Sequence, residues 1–107
     1  VSVKLDYPSG NVDLVINATS LGLTNSDPIP VDLTKFRLNK TSCVYDMIYR
    51  PSETLFLKTA RESGCKTANG LSMLLWQGVK ALEIWTQKPA PIEIMREALI
   101  KNIYGNI

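Results

Sequence analysis

Asp13-Leu14-Val15-Ile16-Asn17-Ala18 decides the fold class of this chain. The run is short, apolar and rich in β-branched residues, without strict alternation, which suits a strand buried on both faces of a parallel sheet. It ends in Thr19-Ser20-Leu21-Gly22, where small polar residues and a glycine permit a tight exit from the strand. Upstream, residues 1–12 alternate weakly and break at Pro8-Ser9-Gly10-Asn11, as an edge strand followed by a turn would. Downstream, Leu23 to about Asn39 reads as a long connection, because Pro28 and Pro30 oppose a regular helix there.

Residues 42–49 then read as a second buried strand, stopped by Arg50-Pro51. Ser52 is the expected cap of a helix running to about Ser63, with Glu53 in its first turn and Gly64 as its stop. Cys65 to Asn69 forms a third, short strand, and Gly70 opens a long apolar helix to about Thr86. Pro89-Ala90-Pro91 breaks that helix, and a last one follows with an apolar stripe of Ile92, Met95, Leu99 and Ile103. Strands alternating with helices in this order predict an α/β chain built on a parallel sheet of about three strands.

Composition narrows the chemistry. The chain has 107 residues, 12 basic and 10 acidic, with a net charge of +2. That balance argues against a polybasic nucleic-acid stripe, and the 45% hydrophobic and 21% charged fractions are globular values. There is no histidine, which excludes a Ser-His-Asp triad and a His-ligated zinc site. Cys43 and Cys65 are too few for a disulfide scaffold or a four-thiolate metal site, and read as reduced, mostly buried thiols of a cytoplasmic protein. No stretch has the length of a membrane span and no signal peptide opens the chain. The first residue is Val1, which fits either a processed start or part of a longer protein.

The six glycines, at 10, 22, 64, 70, 78 and 105, never fall into G-x-G-x-x-G or P-loop spacing. Yet three expected strand ends carry small or polar groups: Asn17-Ala18-Thr19-Ser20, Asp46 to Tyr49, and Ala68-Asn69-Gly70. Ligands of open parallel sheets bind outside such carboxyl ends. Singly, each has a plainer reading, with Thr19 and Ser20 capping a turn, Tyr49 in the core and Gly70 starting a helix. In the long helix, Met73, Leu74, Gly78, Ala81, Leu82, Ile84 and Trp85 share an apolar arc at 100° per residue, and Gln77 falls inside it. A buried amide there requires either a backbone partner or a polar ligand. Trp76 points the other way, among Ser72, Lys80, Glu83 and Gln87. Lys58, Arg61 and Glu62, and Arg96 with Glu93 and Glu97, read as solvated helix faces.

Taken together, residues 17–22, Tyr45 to Pro51 with Thr54-Leu55, Gly64, Asn69 to Leu74 with Gln77, and Glu83-Ile84-Trp85-Thr86 resemble shikimate dehydrogenase over about residues 13–99. Their order and spacing match its carboxyl-terminal part. The resemblance implies the second half of a Rossmann-type sheet with flanking and closing helices, 1–107 forming one partial NADP-binding domain. It also implies an oxidoreductase that reversibly reduces 3-dehydroshikimate to shikimate with NADPH, on the way to chorismate and the aromatic amino acids.

On that resemblance Tyr49 and Gln77 bind the substrate, and Thr19, Ser20, Met47 and Gly70 line the cofactor. The family's catalytic lysine and aspartate, its glycine-rich loop and its amino-terminal substrate domain have no counterpart here. The isolated chain is therefore expected to be inactive, with no metal, nucleic acid or membrane among its partners. A half sheet leaves one strand edge unpaired, so self-association through that edge or Trp76 is also expected. The sequence departs from the family at Leu23, where methionine is common, at Trp76, and at Gln87, where glycine is frequent. Alternatives are a quinate or shikimate dehydrogenase paralogue, and a non-catalytic assembly module that retains half the fold.

Overall fold

A computed structural model describes residues 6–105. The chain divides into two compact units, one ending at Asn69 and one beginning at Gly70. In the first, β1 (Val12–Asn17), β2 (Thr41–Asp46) and β3 (Lys66–Ala68) form a sheet of order β1-β2-β3, with helix α1 (Leu55–Glu62) between the last two. Both pairings are parallel, and the register sets Asn17 opposite Asp46 and Tyr45 opposite Ala68. The α/β class and three-stranded parallel sheet are as expected. The edge strand expected over residues 1–12 falls partly outside the described residues; Asp6 to Asn11 contains no strand.

A parallel pair needs a crossover, usually a helix. Between β2 and β3 that is α1. Between β1 and β2 it is the Pro-containing connection, regular only in a 3-10 turn at Leu38–Lys40. Its side chains do a helix's packing: Phe36 and Leu38 are buried with Val44, Phe56, Leu57, Ala60 and Cys65, and Ile29 and Val31 pack on the same cluster. Burying a side chain such as Phe56 stabilises by roughly 2–3 kcal/mol. Tyr7 reinforces this layer, stacking on Phe36 with ring centroids 5.7 Å apart while its hydroxyl accepts from the Asp32 amide at 2.8 Å.

Three expectations are corrected. First, β1 is not buried on both faces: Val12 and Val15 pack on the core, but Leu14 is 52% and Ile16 49% exposed, because nothing among the described residues covers that face at the sheet edge. Second, the cap of α1 is Thr54, whose hydroxyl accepts from the Leu57 amide at 3.2 Å, and not Ser52. Glu53 consequently precedes the helix and reaches forward to Arg61 in a two-pronged ion pair, with contacts of 3.0 and 3.2 Å. Third, β2 stops at Asp46, so Tyr49 lies beyond the strand and not in it.

Gly22 and Gly64 both have positive φ, and Gly64 ends α1 as expected. In the second unit, α2 (Leu71–Thr86) and α3 (Ile92–Tyr104) follow the expected bounds closely. The α3 stripe of Ile92, Met95, Leu99 and Ile103 is half-buried, while Glu93 and Arg96 pair on its outer side.

Candidate functional site

The carboxyl edge of β1 and β2 is built around a buried polar set. Asp46 is completely buried, with 0% exposure, and no cation among the described residues pairs with it. Three donors satisfy it instead. Its Oδ1 accepts from Asn17 Nδ2 and from the Ile48 amide, each at 3.0 Å, and its Oδ2 accepts from the Thr54 hydroxyl at 2.7 Å. Both oxygens face inward and are occupied, so this carboxylate is not placed to act as a general base.

Asn17 uses its whole amide. Nδ2 donates to Asp46 and to the Leu21 carbonyl at 3.0 Å. Oδ1 accepts from the Thr19 amide at 3.0 Å and the Thr19 hydroxyl at 2.6 Å. That hydroxyl in turn accepts from the Leu21 amide at 3.1 Å. Residues 18–21 are thereby wound into a turn whose outer side presents Thr19 and Ser20 to solvent. The Met47 amide donates to the Asn17 carbonyl at 3.1 Å, holding the chain after β2 beside the chain after β1.

Thus the structure brings Thr19, Ser20 and Met47 to one sheet edge, Met47 being 38% exposed, and sets Tyr49 half-buried two residues further on. Behind them Asp27 closes the loop: its Oδ2 accepts from the amides of Gly22 and Thr24 at 3.0 and 3.1 Å, which holds its carboxyl below the ordinary range. Gly22 is required there twice over. Its φ is +119°, and a Cβ would stand 3.1 Å from Ile48 Cδ1 and 3.4 Å from Thr54 Cγ2.

Gly70 and Gln77 belong to the helical unit. Gly70 precedes α2 with φ −80°, a value open to any residue, so glycine is not needed there for backbone conformation. Gln77 is exposed, contrary to the buried amide expected from the helical arc. The buried stripe of α2 is instead Leu75 and Val79, some 160–200° round the helix, and Gln77 lies with Met73 and Ile84 on an exposed apolar strip. Trp76 is also partly open, at 45%, beside a hollow formed with Pro91 and Ile92.

Both cysteines are free, and burial together with the nearby Cys43 pushes the Cys65 thiol up. Among the described residues no cluster of His, Cys, Asp or Glu could hold a metal, and no helix is long and apolar enough to cross a membrane. Sequence reasoning missed Asn17 and Thr54 as structural hubs. The signal available was a polar residue ending each of two apolar runs, with a threonine eight residues after the second.

The family model for the shikimate 5'-dehydrogenase C-terminal domain matches residues 70–100. Over most of its length the chain is similar to the carboxyl-terminal part of the shikimate dehydrogenases. It is 46% identical over 99 residues to the shikimate dehydrogenase (NADP(+)) of Methanococcus aeolicus, covering 89% of this chain and 34% of that protein. A crystal structure of a shikimate dehydrogenase in complex with NADP+ superposes with TM-score 0.73 at 40% identity, covering 86% of this chain and 32% of that one. The quinate dehydrogenase of Corynebacterium glutamicum in complex with NAD gives TM-score 0.73 at 32% identity, over 83% and 31%. This chain thus spans about a third of the shikimate dehydrogenases it matches.

Proposed function

We propose that this chain supplies the second half of the nucleotide domain and the closing helices of an NADP-dependent shikimate dehydrogenase, interconverting 3-dehydroshikimate and shikimate in the cytoplasm for aromatic amino acid biosynthesis. The observation that carries the reading is the β1–β2 carboxyl edge, where the Asn17–Asp46 register sets Thr19 and Ser20 beside Met47. A parallel sheet binds dinucleotides at such an edge. The exposed turn, the absence of bulky side chains at 18–20 and the neutral donor set fit a nicotinamide-bearing ligand.

When bound, the dinucleotide supplies a hydride. On this reading Thr19, Ser20, Met47 and Gly70 line it, and Tyr49 and Gln77 hold the substrate's hydroxyls and carboxylate. Gln77 suits that role better exposed than buried, since its amide is free to meet a polar ligand. The proton for the developing alkoxide comes from a lysine outside this chain, and the only buried carboxylate described here, Asp46, is spent on three hydrogen bonds. The chain alone is therefore inactive, and it self-associates through the β1 edge or Trp76, where apolar surface is exposed.

Quinate is the second reading, favoured by the quinate dehydrogenase neighbour that matches with the same TM-score. The test joins this chain behind the amino-terminal part of the Methanococcus aeolicus enzyme and measures oxidation of shikimate and quinate with NADP+ and NAD+. Shikimate with NADP+ is the expected pair. A folded fusion with no turnover, or turnover by the chain alone, overturns the proposal.

A further inference from the structure

Resting on that reading, we infer that Thr19 and Ser20 divide the work of the cofactor turn: Thr19 is a positioning residue held by Asn17, and Ser20 is the side chain that contacts the dinucleotide. A threonine hydroxyl has one proton to give. Thr19 gives its proton to Asn17 Oδ1 at 2.6 Å, and one of its lone pairs is taken by the Leu21 amide at 3.1 Å. Donating to a ligand would break the first of these bonds and release the turn.

The exposed Ser20 hydroxyl makes no hydrogen bond among the described residues, so its proton is available at no cost to the fold. Asn17 is itself fixed from below, because its Nδ2 donates to the fully buried Asp46, and Asp46 is held by Ile48 and Thr54. The same carboxylate therefore sets the turn after β1 and the segment that carries Met47 and Tyr49. An amide at position 17 is the side chain that can donate twice and accept twice there, and all four capacities are used.

Two measurements test the assignment. In the fusion described above, Ser20→Ala raises the KM for NADP+ about 3- to 10-fold, the range of one neutral hydrogen bond. Thr19→Val raises the same KM, Thr19→Ser restores it, and on an Asn17→Ala background the further effect of Thr19→Val on KM shrinks, since the bond the two side chains share is already gone. In the unfused chain, amide hydrogen exchange at Thr19 and Leu21 accelerates in Thr19→Val and is unchanged in Ser20→Ala. The inference is overturned if the Asn17 and Thr19 effects on KM multiply, if Ser20→Ala leaves that KM unchanged, or if Ser20→Ala loosens the turn. An unsubstituted fusion without turnover would count against the dehydrogenase reading instead, while the exchange result would still decide whether the Thr19 hydroxyl, and not that of Ser20, holds the turn.

Discussion

Thr54→Val separates the capping of α1 from the satisfaction of a buried charge. The Thr54 hydroxyl does both: it donates to Asp46 Oδ2 at 2.7 Å and accepts from the Leu57 amide at 3.2 Å. Valine keeps the shape and removes both bonds. Loss of the cap costs about 1 kcal/mol, and loss of a hydrogen bond to a buried carboxylate costs about 1.5–3 kcal/mol. The sum is about 3 kcal/mol, which for a domain of this size lowers the melting temperature by at least about 12 °C. Thr54→Ser keeps both bonds and gives up one methyl group, at about 1 kcal/mol. Urea unfolding of the three proteins, followed by far-ultraviolet circular dichroism, reads the difference directly. Adding Asp46→Asn removes the charge, so the increment from Thr54→Val on that background falls to about the capping value of 1 kcal/mol. Equal destabilisation by valine and serine would refute the reasoning, because it would mean that neither bond matters.

Other expectations follow from individual residues. Gln87 ends α2 with φ 56°, so Gln87→Gly relieves a left-handed residue and raises stability by about 1 kcal/mol in the same unfolding assay. Gly22→Ala, by contrast, lowers it by at least about 1 kcal/mol, since its φ is +119° and Ile48 Cδ1 stands 3.1 Å from the new Cβ. For Cys65 the folded chain keeps its proton to higher pH than the unfolded chain does. Its contribution is full below the ordinary thiol value of 9.0 and is lost as pH rises through the higher folded value. Urea midpoints at pH 7 and pH 10 should therefore fall further apart in the parent than in Cys65→Ala.

How much of this was legible in the sequence differs from element to element. The β-branched run at 13–18 and the long apolar segment after Gly70 gave β1 and α2 almost to the residue, because periodicity and breakers are local signals. The packing of the first crossover was not legible. Ile29, Val31, Phe36 and Leu38 have no helical or strand period, and only the sheet they cover defines their direction. The same reason misplaced Gln77: α2 carries two apolar strips, and sequence cannot say which one is buried. The cap of α1 passed to Thr54 because Asp46, eight residues away, holds its hydroxyl in place. At the candidate site, the resemblance supplied Thr19, Ser20, Met47 and Tyr49, whereas the Asn17–Asp46 bond that aligns them depends on strand register.

The helix-free crossover also orders the events of folding. β2, α1 and β3 are consecutive, and α1 can form locally and carry β3 back to its partner. β1 must instead find β2 across a loop closure of 29 residues, from Val12 to Thr41, with no pre-formed helix to shorten the search. Its contacts pair residues far apart in sequence, the kind that form late and slowly. β1 should then be the last strand to join, after β2, α1 and β3 have come together. The turn that bears Thr19 and Ser20 is therefore completed only when the last strand joins the sheet.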